Sequence, residues 1–137
     1  MLDNLFSNRA YGPTNEDYLW KIQYNLITEL AQKESCVIVG RCADYVLRDE
    51  PHVVRVFIYA DEEQCIKNAA EVKGITERKE AIKTITATDK ERAAYYKAHT
   101  GREWIDARNY DLCLNSGDLG FDKCVDIITD FIKVKLG

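Results

Sequence analysis

Apolar positions along the chain follow two alternating periods, one helical and one extended. From about Asn15 to Lys33, the residues Leu19, Ile22, Leu26, Ile27 and Leu30 recur at helical spacing and predict a helix. Residues 35–40, SCVIVG, are a continuous apolar run closed by a glycine, which reads as a short buried strand. Residues 53–60, VVRVFIYA, are rich in β-branched and aromatic side chains and predict a second strand. Asp61 with Gln64 has the spacing of a capping box, starting a helix that ends at Gly74. Thr76 is placed to cap a long helix reaching about Ala98, with Gly101 beyond its end. Residues 110–116, YDLCLNS, give a third and less regular strand. Gly120 precedes a last amphipathic helix with Val125, Ile128, Phe131 and Ile132 on one face. The first dozen residues are polar and irregular, broken by Gly12-Pro13.

Helices alternating with short apolar strands point to an α/β domain with a parallel sheet, and 137 residues suit a single domain spanning 1–137. Composition is that of a soluble globular chain, and a net charge of −4 argues against a general nucleic-acid or anionic-membrane binder. Neither a membrane span nor a basic-then-apolar leader is present in the sequence. The five cysteines (36, 42, 65, 113 and 124) form no CxxC pair, so they read mostly as reduced core residues of a cytoplasmic protein. No tract repeats, and His52 and His99 have no companions that suggest metal or acid–base chemistry.

In parallel sheets, ligands bind beyond the carboxyl ends of the strands. Arg41 follows Gly40 at such an end, where its planar donors suit a phosphate or carboxylate. Its simpler role would be a cap or a pair with Asp44. Asp89 and Arg92 are three apart on a helix and therefore neighbours on one face, where a solvated ion pair is the simpler reading. Tyr95, Tyr96 and Trp104 at helical spacing read as packing rather than as a base-stacking platform.

The segments CVIVGRCADYVL, VFIYADEEQCIKN and TDKERAAYYKAHTGREWIDARNYDLCLNSGDLG, in that order, resemble the bacterial cytidylate kinase-like family, a branch of the P-loop nucleoside-monophosphate kinases. The resemblance covers roughly residues 15–135 and is most specific from Asp89 to Gly120. It implies transfer of the γ-phosphoryl group of ATP to a nucleoside monophosphate (CMP or similar), assisted by magnesium. Such chemistry is mainly positioning and charge stabilisation, because the acceptor phosphate is itself the nucleophile. Arg41 matches the family's arginine on the acceptor phosphate. Asp89 and Arg92 match an aspartate on the sugar and an arginine on phosphate. Arg41 and Arg92 would then be the catalytic charges, with Asp44 beside the acceptor. Residues 74–100 correspond to the family's mobile lid, with Arg78, Lys79 and Lys83 as candidate contacts to ATP phosphates and Lys73 nearby. No metal ligand is assigned to this chain.

Two departures alter what the resemblance implies. The family places an aspartate after the strand-end arginine, where it can accept from the cytosine amino group. Cys42 stands there instead and is a weak hydrogen-bonding group, so poor base discrimination is expected. The sequence also lacks G-x-x-x-x-G-K-[ST], the loop that cradles phosphates and orders magnesium. The expected architecture is therefore a partial P-loop kinase-like three-layer domain, resembling the C-terminal two-thirds of a kinase. Its N-terminal strands and P-loop would be missing from a sheet ordered 2-3-1-4-5. ATP and magnesium would belong to a full-length parent, with neither held tightly by this chain. A strand missing from between 36–40 and 53–60 leaves open edges, so either those two strands pair directly or a homodimer forms. The rival readings are a non-catalytic nucleotide- or protein-binding module and a kinase for another small molecule.

Overall fold

A computed structural model describes residues 14–137, so the irregular start broken by Gly12-Pro13 lies outside the described residues. The chain divides into two units, one ending at Arg48 and one beginning at Asp49.

In the first unit, α1 spans Asn15–Lys33, as the helical spacing predicts. Its start is a reciprocal capping box: the Asp17 amide donates to the Thr14 hydroxyl at 3.1 Å, and the Thr14 amide donates to the Asp17 carboxylate at 2.9 Å. Ile27 is buried, and Trp20 meets Tyr24 edge-on with ring centroids 6.0 Å apart. A short helix α2, Ala43–Val46, packs against α1 and contributes the buried Ala43 and Val46, followed by the buried Leu47.

Between these helices the expected strand at 35–40 is not formed. Residues 35–39 carry neither helix nor ladder, and Val37 and Val39 are 93% and 88% exposed. Strand propensity is local, but a ladder needs a neighbour for every amide and carbonyl, and none is supplied here among the described residues. Among the described residues, the 53–60 stretch pairs instead with 112–115, Val56 lying opposite Leu112. Leu19, Ile22 and Leu26 of the predicted helical stripe are likewise exposed.

The second unit holds the sheet. β1 (Val56–Tyr59) and β2 (Leu112–Asn115) run parallel, with Val56 opposite Leu112 and Tyr59 opposite Asn115. Between them come α3 (Glu62–Lys73), α4 (Arg78–Thr100) and a 3₁₀ turn at Ala107–Asn109. After β2 follow α5 (Ser116–Leu119) and α6 (Phe121–Leu136). The class is mixed α/β, mostly helical around a small parallel sheet of two strands among the described residues.

Asp61 caps α3 by accepting from the Gln64 amide at 2.9 Å, while the Gln64 side chain turns to Asn68 instead of closing a box. The cap of α4 is Glu77, not Thr76. The Glu77 carboxylate accepts from the Lys79 and Glu80 amides at 3.2 and 2.8 Å, satisfying two of the helix's orphan donors. Gly74 and Gly101 end α3 and α4 with φ of 69° and 74°, in the left-handed region that favours glycine. Phe57 of β1 packs against Trp104 and Tyr110 at 5.3 and 5.0 Å, and the Tyr110 hydroxyl donates to the Trp104 carbonyl at 2.6 Å. Tyr96 is buried, in keeping with a packing role. On α6, Cys124 is buried and Ile128 and Phe131 are half-buried, but Val125 and Ile132 are exposed. All five cysteines are free thiols, and Cys36 is the exposed exception to the core reading. Among the described residues no helix is long and apolar enough to cross a membrane.

Candidate functional site

The chain approaches α2 through a left-handed turn. Gly40, Arg41 and Cys42 have φ of 74°, 57° and 58°, so two non-glycine residues in succession occupy a region that L side chains rarely adopt. The turn is held by the Ala43 amide donating to the Gly40 carbonyl at 3.2 Å and the Val46 amide donating to the Cys42 carbonyl at 2.9 Å. Arg41 is therefore not at the end of a strand, as expected, but in a strained turn at the head of α2. Left-handed backbone at a non-glycine residue costs on the order of 1–2 kcal/mol, and the buried flanks Cys42 and Ala43 hold it there.

Arg41 is exposed and makes no ion pair among the described residues, so the simpler alternative of a pair with Asp44 is not formed. Cys42 points the other way, into the unit. Burial, then the Asp44 charge, push its thiol up to about 11 against a smaller opposing effect from Arg41. It is neutral and inert as a nucleophile near pH 7. Arg48 closes this region, with its guanidinium 4.0 Å over the Tyr45 ring and one donor 2.8 Å from the Tyr45 carbonyl.

In the second unit the carboxyl ends of both strands come together. The Ser116 hydroxyl donates to the Tyr59 carbonyl at 3.2 Å, and the Asn115 side chain accepts from the Gly117 amide at 3.0 Å. A Cβ on Gly117 would lie 3.3 Å from the Gln64 Cβ and 3.4 Å from that of Ala60, so this crossing favours glycine. The Cys65 thiol faces the Ala60 carbonyl at 3.7 Å. Burial raises its pKa first, then the charges of Asp89 and Asp61, while Arg92 lowers it. Asp89 and Arg92 of α4 thus lie within electrostatic reach of the carboxyl end of β1, where ligand-binding groups of a parallel sheet belong. The two are paired at 3.3 Å and are both more than half exposed, so the pair is solvated.

Of the lid candidates, Arg78 is engaged by Glu63 at 2.5 Å, which draws the Glu63 carboxyl below its usual range through that hydrogen bond. Lys79 and Lys83 are exposed on a helix that runs unbroken from Arg78 to Thr100. Among the described residues, no three His, Cys, Asp or Glu side chains converge as a metal site. With the phosphate-cradling motif also missing from the sequence, the residues present do not fit an ATP–magnesium cradle.

Two features escaped sequence reasoning. Gly40 announces a turn, but nothing local says that Arg41 and Cys42 share its left-handed backbone. Asp111 looks like a loop residue before a strand, yet it accepts from the Arg55 amide at 2.7 Å and receives Lys135 of α6 at 3.2 Å.

The sequence matches the cytidylate kinase-like family over residues 1–118, and the chain belongs to that family. A crystal structure of an uncharacterized protein from Eubacterium ventriosum is similar, with a TM-score of 0.81 and 33% identity, covering 87% of this chain and 74% of that one. No curated protein matches the sequence.

Proposed function

We propose that this chain binds a nucleoside monophosphate, CMP or a similar nucleotide, as the phosphoryl acceptor of a P-loop-type, ATP- and magnesium-dependent kinase. The observation that carries the reading is Arg41. Its guanidinium is exposed and unpaired among the described residues, on left-handed backbone held in place by the buried Cys42 and Ala43 beside it. The family to which the chain belongs supports a phosphate as the partner of that arginine, with Asp44 near it in the first unit. In the second unit, taken by itself, the Asp89–Arg92 pair offers an acceptor for a sugar hydroxyl and a donor for phosphate.

Phosphoryl transfer needs an ATP–magnesium cradle that these residues do not form, so no chemical step is derived through one. The role of the described residues is to bind the acceptor and reduce the repulsion between its phosphate and an incoming one. Neutral Cys42 offers no strong acceptor for a cytosine amino group, which supports tolerance of several bases.

Calorimetric titration with CMP, UMP, AMP and the nucleoside cytidine tests the proposal. Binding of the three nucleotides with similar affinity, and of cytidine far more weakly, is the expected result. Equal binding of cytidine and CMP, or no binding of any nucleotide, would refute it.

A further inference from the structure

We draw no further inference here: the strongest candidate, the side-chain cluster of Asp61, Cys65, Asp89 and Arg92 at the carboxyl end of β1 in the second unit, belongs to the site already described.

Discussion

The Lys135 ammonium of α6 lies 3.2 Å from the Asp111 carboxylate, which sits immediately before β2 and also accepts from the Arg55 amide just before β1. Lys135 donates as well to the Val53 carbonyl at 2.7 Å. One carboxylate therefore ties the entry of both strands and the last helix together. Burial alone would raise its pKa, but the Arg55 amide, the Lys135 ammonium and the Arg55 guanidinium outweigh it and hold the carboxyl below its ordinary value.

Replacing Asp111 with Asn should therefore destabilise the second unit by about 1–3 kcal/mol at neutral pH. A carboxyl lowered in the folded state contributes fully above the unfolded value of about 3.9. That contribution is lost as pH falls through the lower folded value. Urea unfolding of wild type and D111N should diverge at pH 7 and converge in strong acid. A gap that stayed constant across that range would show the carboxylate charge to be irrelevant.

Arg41→Ala and Arg92→Ala should each weaken CMP binding by about 1.5–3 kcal/mol, the usual loss for a charge-assisted contact. Lys79→Ala, on an exposed turn of α4, should change it little. Titration calorimetry at fixed ionic strength measures all three, and unchanged affinity in both arginine variants would remove these residues from the site.

Arg41→Gly separates binding from folding. Glycine accepts a φ of 57° without the penalty that an L side chain meets there, and the Arg41 side chain is exposed, so little packing is lost. The variant should be as stable as wild type or up to about 1 kcal/mol more stable, yet bind nucleotide as poorly as Arg41→Ala. A marked drop in melting temperature would mean that the guanidinium is structural.

Thiol labelling should follow exposure. Cys36, exposed, should react with iodoacetamide within the native state, whereas Cys42, buried and with its thiol pushed up to about 11, should require unfolding. Peptide mass mapping after a short pulse distinguishes them. Cys42 labelled as fast as Cys36 would contradict the described turn.

The chain by itself should show no sustained ADP release with ATP, magnesium and CMP, since its residues form no ATP–magnesium cradle. Turnover above a protein-free control in a coupled assay would contradict this.

What could be read in advance depended on the range of the interaction. Helices α1, α3 and α6 and the strands at 56–59 and 112–115 fall inside the stretches that periodicity and β-branched content marked, because those signals are local. The neighbouring positions of Asp89 and Arg92 followed from helical spacing alone. Residues 36–39 carry the same local signal as β1 and yet form no strand, since a ladder depends on a partner remote in sequence. Leu19 and Ile22 show the same limit: spacing reveals a stripe, but not whether anything covers it. The Glu77 cap in place of Thr76 is a smaller case, in which a longer carboxylate one residue on reaches two amides. The Asp111 knot joins residues more than fifty positions apart, and no local pattern announces it.

The register that sets Val56 opposite Leu112 has a kinetic meaning. Every rung of the ladder closes a loop of the same large size, so no short hairpin can start the sheet and zip outward. Closing such a loop in a random chain is entropically slow. The intervening α3 and α4 can form first on their own caps, turning much of the loop into rigid rods that bring Leu112 back toward Val56. Refolding of the second unit should then be gated by helix docking, with strand pairing and the closure of Lys135 onto Asp111 arriving last. The bond that locks the unit would also be among the first to open.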